Sequence, residues 1–273
     1  MSPLHRIKAR SVFLLLLVLS TGMAVLEAVL QKSDSRYVRS IAFRVVQDAN
    51  ASTPQDKARA IRDYLRKHVS YEGAPFFENE RPFFRASAGD TLRTGKGYCG
   101  DVSRVFICMA AQVGIRAQRI NLAGDEPHTV AEAELGPSER ILVDCQNPPK
   151  IPESIELDRL VVPGSKYTDY YTLNLRRLRI TWLVTRVKLE MGPFTYWTEN
   201  PHALKALLWG LLALSLVSAR GLRALVRAVL VRRGWVHVTD DRRFVEAAAA
   251  VRMRTGAAKA PEEDDSPRAE RSG

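Results

Sequence analysis

The chain has 273 residues, of which 46% are hydrophobic and 26% charged, and its formal net charge is +11. This composition suffices for one sizeable hydrophobic core and excludes disorder over most of the chain. Three basic residues precede residue 11, and residues 220–254 hold nine basic against three acidic ones. The middle of the chain shows no stripe of basic residues interleaved with aromatic ones. We therefore expect no nucleic-acid partner, and a lipid bilayer as the partner of the two basic ends.

The first predicted element is an apolar helix over residues 11–30, which follows a basic N-terminus of residues 1–10. Its sequence SVFLLLLVLSTGMAVLEAVL carries one charge, Glu27, close to the far end, and about 20 such residues can cross a bilayer. A cleavable signal peptide is the alternative interpretation. Because the small-x-small cleavage site is poor and the apolar stretch is long, we predict an uncleaved membrane anchor.

Residues 31–50 are predicted to be a linker, and residues 51–150 the main folded domain. The domain opens with a helix in TPQDKARAIRDYLRKHVSY, where Thr53 occupies the N-cap position and Pro54 the first helical position. A loop rich in glycine, proline and phenylalanine is expected to follow, from Gly73 to about Arg85.

The next helix is predicted to start close to Cys99 and to end at Gly114. At about 100° per residue, one stripe of this helix contains Cys99, Val102, Phe106, Met109 and Val113. The thiol of Cys99 is therefore expected to point into the domain. In the first turn of a helix, free backbone N–H groups and the helix dipole stabilise a thiolate. Taken alone, this position fits a catalytic thiol or an inert buried one.

The sequence HTVAEAELGPSERILVDCQ predicts two short strands around a turn centred on Gly136. In that register Glu132 faces Arg140, a pair of opposite charges that supports the register. His128 then faces Asp144. A carboxylate supports the positive form of an imidazole, and an imidazolium keeps a neighbouring cysteine ionised. A coincidental histidine–aspartate pair on the surface is the alternative interpretation.

These motifs resemble the core of the transglutaminase-like superfamily, which has a papain-like fold. The resemblance covers about residues 50–150 and rests on a G-x-C helix start, a strand that begins with histidine, and a strand that ends in aspartate, in that order. It implies an α+β fold in which the helix bearing Cys99 packs on antiparallel strands bearing His128 and Asp144. It also implies that Cys99 is the nucleophile, His128 the base and Asp144 its orienting partner.

The sequence departs from the family pattern at two positions. The tryptophan usual two residues after the histidine is Val130, and the proline usual after the aspartate is Cys145. The first departure affects the substrate groove and the second the following turn, but neither removes a member of the triad.

The activity implied by the resemblance is acyl transfer from an amide bond of a protein, peptide or cell-envelope substrate, without a cofactor or metal. Water as acceptor makes an amidase or peptidase, and a primary amine makes a cross-linking enzyme; the sequence leaves both open. Tyr71 is a candidate side chain for the oxyanion site, with ordinary packing as its alternative role. A membrane-tethered binding module with the same fold is the alternative function. All three cysteines are expected to be free thiols.

The C-terminal part begins with an extension, residues 151–202, that either packs on the domain or lies against the membrane. A second membrane helix is predicted over residues 203–219, followed by basic helices over residues 220–254 and a disordered tail over residues 255–273. Basic residues flank the outer ends of both apolar runs. The positive-inside rule therefore predicts a two-pass protein of the cytoplasmic (inner) membrane with its catalytic domain on the extracytoplasmic side. Two buried helices of a soluble protein are the alternative.

Overall fold

The computed structural model describes residues 3–72, 86–174 and 186–233. Outside these residues lie the predicted loop from Gly73 to Arg85, residues 234–254 of the predicted basic segment and the tail of residues 255–273. The described elements are, in chain order, α1 (Pro3–Asp48), α2 (Pro54–His68), α3 (Ala88–Thr94), α4 (Cys99–Gln112), β1 (Arg116–Gly124), β2 (His128–Glu134), β3 (Arg140–Val143), α5 (Leu157–Leu160), β4 (Tyr167–Tyr171), β5 (Leu173–Asn174), β6 (Arg186–Val187), α6 (Phe194–Glu199) and α7 (Pro201–Arg232).

The predicted linker of residues 31–50 is the second half of α1, which continues without a break to Asp48. Val38, Ile41, Ala42 and Val45 of this half are buried in the core of the domain. These residues recur at the spacing of one helix face, so the helix continues where the uniformly apolar run ends. The linker prediction was wrong because it took the end of the apolar run for the end of the helix.

Helices α2 and α4 begin where the sequence predicts. Thr53 caps α2, since its side chain accepts a hydrogen bond from the N–H of Asp56 at 3.1 Å, and Pro54 is the first helical residue. Helix α4 begins at Cys99, and the chain leaves it through Gly114, whose φ of +84° lies in the left-handed region. Both ends of the helix that carries the candidate nucleophile are thus determined by local sequence.

A mixed arrangement of helices and an antiparallel sheet forms the domain, in agreement with the predicted α+β class. The main sheet has the strand order β3-β2-β1-β4, and every neighbouring pair in it is antiparallel. The larger core lies between α1, α2, α4 and one face of the sheet. The smaller core lies on the other face and contains Ile120, Leu122, Val130, Leu142, Ile151 and Tyr167.

The pairing of β2 with β3 differs from the predicted register by two residues. Arg140 lies opposite Glu134 instead of Glu132, and its guanidinium is 3.2 Å from the Glu134 carboxylate. The turn is centred on Pro137 instead of Gly136, because a proline has a fixed φ and no N–H to give to a strand ladder. A shift of two residues keeps each side chain on its predicted face. The predicted apolar face is therefore present, and Ala131 and Val143 belong to the larger core.

The extension of residues 151–202 packs on the domain in its described part. Strand β4 pairs with β1, and Ile151 and Tyr167 are buried in the smaller core. Helix α6 contributes the buried Glu199, whereas Phe194 and Tyr196 of the same helix are 62% and 49% exposed. The extension therefore completes the sheet and also presents aromatic side chains just before α7.

Helices α1 and α7 are each long and apolar enough to cross a membrane. Helix α7 runs on through residues 220–232, so this basic segment continues the apolar helix and is not a separate one. Residues 18–213 form one compact unit, which contains the domain. The outer parts of the two helices belong to a second unit, in which the Arg220 guanidinium lies 5.1 Å from the ring centre of Phe13.

Candidate active site

Cys99 stands at the first position of α4, where backbone N–H groups have no partner within the helix. The turn is braced by Asp101, whose Oδ2 accepts the N–H of Tyr98 at 3.2 Å. Ser103 connects the turn to β2, because its Oγ lies 2.8 Å from the carbonyl oxygen of Cys99 and 3.0 Å from that of Thr129. The cysteine is partly exposed and is held at a fixed position relative to the first residues of β2.

His128 and Asp144 form a buried pair beside this turn. Nε2 of His128 lies 3.0 Å from Oδ2 of Asp144, and the two residues are only 3% and 4% exposed. The carboxylate also accepts the backbone N–H groups of Gln146 at 3.0 Å and of Lys150 at 2.8 Å. Asp144 is therefore oriented by the loop after β3 as well as by the histidine.

The imidazole of His128 also lies beside the Cys99 thiol, close enough for each group to shift the pKa of the other. Because Asp144 occupies Nε2, the nitrogen available to the thiol is Nδ1. The structure thus brings together all three residues that the sequence predicted, with the imidazole between the carboxylate and the sulfur.

The electrostatics of the three residues favour a thiolate–imidazolium pair. Burial raises the pKa of the Cys99 thiol, but hydrogen bonds and charge from His128, together with hydrogen bonds from Thr129, outweigh it and lower the pKa below 9.0. Burial lowers the pKa of His128, yet its bonds to Asp144 and Cys99 raise it to about 9. Burial likewise raises the pKa of Asp144, but the bonds from His128, Lys150 and Gln146 lower it overall.

Tyr71 lies beside the thiol, as a candidate oxyanion donor must. Its phenol is close enough to Cys99 for the thiol to shift its pKa, and its ring packs edge-on against that of Tyr98 with centres 5.4 Å apart. Burial, followed by the charge of Cys99, raises the pKa of Tyr71, so the hydroxyl keeps its proton. The residue is 44% exposed, which leaves it within reach of a substrate.

The other two cysteines lie in different surroundings. Cys108 is buried on the predicted polar side of α4, a side that α6 covers, and burial raises its pKa to about 12. Cys145 is 2% exposed in the larger core, and burial raises its pKa as well. All three cysteines are free thiols in the structure. Only the Cys99 thiol combines exposure with a lowered pKa.

Sequence reasoning missed the roles of several polar residues around the site, notably Ser103, Arg104, Arg119 and Glu199. The signal for Arg104 was present, since an arginine inside the apolar run VSRVFICMAA with Asp101 three residues earlier suggests a buried ion pair. Arg119 and Glu199 are 80 residues apart in the sequence, and nothing in either segment indicates that they meet.

Residues 39–145 match the model of the transglutaminase-like superfamily. The match starts in α1 and ends one residue after Asp144, so it includes all three candidate residues. The resemblance predicted from the motifs is therefore confirmed for this part of the chain. A search of the curated proteins finds no match.

Three solved structures match parts of the chain. A candidate cysteine protease from Cytophaga hutchinsonii is 21% identical over 41% of this chain and 37% of its own, with a TM-score of 0.35. A candidate protease from Parabacteroides distasonis is 12% identical over 46% of this chain and 26% of its own, with a TM-score of 0.31. Calcium-bound LapG from Legionella pneumophila is 14% identical over 54% of this chain and 83% of its own, with a TM-score of 0.37. The chain thus spans well under half the length of the first two proteins.

Proposed function

We propose that the protein is a membrane-anchored cysteine enzyme that transfers the acyl group of an amide or peptide bond to Cys99. The observation that carries the proposal is the position of the His128 ring, which joins the Asp144 carboxylate to the Cys99 sulfur while buried from solvent. A coincidental surface pair would be exposed and would have no thiol beside the imidazole. The burial and the third partner therefore favour the catalytic interpretation.

The reaction follows from the protonation states of the pair. The thiolate of Cys99 attacks the amide carbonyl carbon, and the electron pair of the C=O bond moves to oxygen. The backbone N–H of Cys99 and the hydroxyl of Tyr71 are the donors available for this oxyanion. His128 gives its proton to the leaving nitrogen, and a thioester remains on Cys99.

The second half of the reaction regenerates the thiolate. Neutral His128 takes a proton from the acyl acceptor, which attacks the thioester carbonyl and expels the sulfur as thiolate. With water as acceptor the product is a carboxylic acid, and with a primary amine it is a new amide. In both halves Asp144 holds the ring orientation and stabilises the imidazolium.

Membrane anchoring is supported by the surface of the two apolar helices. Only 11% and 6% of their most apolar windows are buried, unlike the core helices of a soluble protein. The one acid of the first run is not left unpaired: Glu27 lies 2.6 Å from Nδ1 of His202 and 3.8 Å from Nζ of Lys205. Exposed aromatic residues of α6 just before α7 fit a membrane interface. The basic flanks favour both ends in the cytoplasm and the enzyme domain on the other side.

Acylation by p-nitrophenyl acetate tests the proposed activity in the full-length protein in detergent. We expect release of p-nitrophenol together with an acetyl group on Cys99, detected by mass spectrometry of peptides. Cys99→Ser should abolish both signals. Cys145→Ala is the matched control, since it removes a buried sulfur at a cost of about 1 kcal/mol in stability and should keep the reaction.

Addition of glycine methyl ester to the same reaction separates the two acceptors. Formation of N-acetylglycine methyl ester indicates cross-linking chemistry, whereas acetate alone indicates hydrolysis. Absence of acetylation at Cys99 in a protein whose Cys108 and Cys145 remain protected from alkylation would contradict the proposal and favour the membrane-tethered binding module.

A further inference from the structure

Four charged side chains form a buried cluster that the reaction above does not use. They come from three elements: Asp101 and Arg104 from α4, Arg119 from β1 and Glu199 from α6. Arg104 is 1% exposed and Glu199 3%. The two positive and two negative charges balance, as burial of charged groups requires. Such a cluster keeps its geometry only while all of its members are present.

Two branches of the cluster reach the residues on either side of Cys99. In the first, Arg119 donates from Nε to Glu199 Oε1 at 2.8 Å and from Nη2 to the carbonyl oxygen of Gly100 at 2.8 Å. In the second, Arg104 donates to Oδ1 of Asp101 at 3.1 Å, and Oδ2 of Asp101 accepts the N–H of Tyr98. The backbone before and after the thiol is therefore attached to the same set of charges.

The Arg119 guanidinium packs directly against the residue that follows the nucleophile. A Cβ on Gly100 would lie 3.0 Å from Nη1 of Arg119, so glycine leaves room for the close approach. Because the guanidinium is largely removed from water, its charge acts on the neighbouring thiol through protein and is screened less than a surface charge. Burial lowers the pKa of Arg119, but the charges of Glu199, Asp101 and Cys99 outweigh it and raise the pKa.

We propose that Arg119 is a positioning residue for Cys99, which fixes the first turn of α4 through Gly100 and supports the thiolate with its positive charge, and that Glu199 holds Arg119 in place. This rests on the proposed function, since the position of Cys99 matters for chemistry only if it is the nucleophile. One of the two residues, Glu199, lies outside the family match, which ends at residue 145.

Glu199 also connects the buried charged cluster to the second apolar helix. It precedes α7 by two residues, and the intervening Asn200 accepts a hydrogen bond at 2.9 Å from the side chain of Gln31 in α1. The N–H of Ala203 donates to the same Gln31 side chain at 3.2 Å. These contacts between α1 and α7 therefore fix the position of Glu199. Glu199 in turn holds Arg119, which is bonded to the turn that carries Cys99.

The test is the pH profile of Cys99 alkylation by iodoacetamide in the full-length protein in detergent. In Arg119→Gln the thiolate loses a nearby positive charge, so the midpoint should rise by about one pH unit, and labelling at pH 7 should slow about tenfold. In Glu199→Gln the amide oxygen can still accept a hydrogen bond from Arg119 and keep it in place, but the neutralising negative charge is lost, so the midpoint should fall. Arg116→Gln is the matched control, since this arginine of the same strand is 89% exposed and should leave the midpoint unchanged.

The opposite directions separate positioning from simple damage to the fold, which would move both variants alike. Protection of Cys108 and Cys145 from the reagent reports whether each variant is folded. If Arg119→Gln does not fold, the direction in which the alkylation midpoint moves in Glu199→Gln is the test of the proposal. Midpoints that do not move, that move together, or a loss of the fold in both variants would overturn the proposal. If Cys99 of the unaltered protein labels no faster than the buried cysteines, the proposed function itself has failed.

Discussion

His128 and Asp144 meet through a bond of 3.0 Å although Asp144 lies beyond the paired part of its strand. The ladder between β2 and β3 ends at the pair Ala131–Val143. The carboxylate reaches His128 because the loop after β3 holds it with two backbone N–H groups. The orientation of the imidazole therefore depends on this loop more than on strand pairing.

Asp144→Asn should slow alkylation of Cys99 by iodoacetamide at pH 7, on the order of tenfold. The amide carries no charge to support the imidazolium, and its NH₂ group cannot accept a backbone N–H as the carboxylate does, but the imidazole itself remains. His128→Ala should slow the reaction more. The exposed Asp158→Asn is the control and should have no effect. An Asp144→Asn variant that labels as fast as the unaltered protein would contradict an orienting role.

The pH dependence of labelling follows from the directions of the pKa shifts. Because the pKa of Cys99 is lowered and that of His128 is raised to about 9, the ion pair exists between the two values. The labelling rate should therefore rise with a midpoint below 9.0. In His128→Ala burial still raises the thiol pKa, but the imidazole that lowers it is lost, so the midpoint of the labelling profile should move upward. His68→Ala, which removes an exposed imidazole, should leave the profile unchanged.

Tyr71→Phe should separate thiol ionisation from acyl transfer. Alkylation develops no oxyanion, so the rate with iodoacetamide should change only a few-fold. Acylation by p-nitrophenyl acetate passes through an oxyanion, and loss of one donor typically costs about 100-fold or more. Tyr196→Phe alters an exposed tyrosine and serves as the control. Equal effects of Tyr71→Phe on both reactions would argue against the oxyanion role.

Membrane topology is checked with reporter fusions. A reporter that is active only outside the cytoplasm should be active when it is fused near residue 120. A reporter that is active only inside the cytoplasm should be active when it is fused near residue 260. The basic residues that flank the outer ends of the two apolar runs are the physical reason. Cytoplasmic activity at the first junction would overturn the proposed localisation.

Local sequence was sufficient to predict the two helices that matter most for the site. The cap at Thr53, the start of α4 at Cys99 and its exit at Gly114 all depend on neighbouring residues, and the structure confirms them. The faces of β2 and β3 were also predicted correctly, since alternation does not depend on the length of the turn.

The register and the other strands of the sheet could not be obtained in the same way. The register depends on whether Gly136 or Pro137 takes the apex of the turn, and the pair of opposite charges supported the wrong choice because Glu132 and Glu134 are equivalent in pattern. Strand β4 and the Arg119–Glu199 pair depend on contacts between distant segments. Sequence patterns record such tertiary contacts only weakly.

The rate of alkylation of each cysteine by iodoacetamide at pH 7, measured by peptide mass spectrometry on the full-length protein in detergent, tests the central claim most directly. Cys99 should react at least about 100-fold faster than Cys108 or Cys145, because only its thiol is both ionised and accessible. His128→Ala should remove most of this advantage while Cys108 and Cys145 stay protected. If Cys99 reacts no faster than the other two, and His128→Ala has no effect, the protein is not a cysteine enzyme of the kind described.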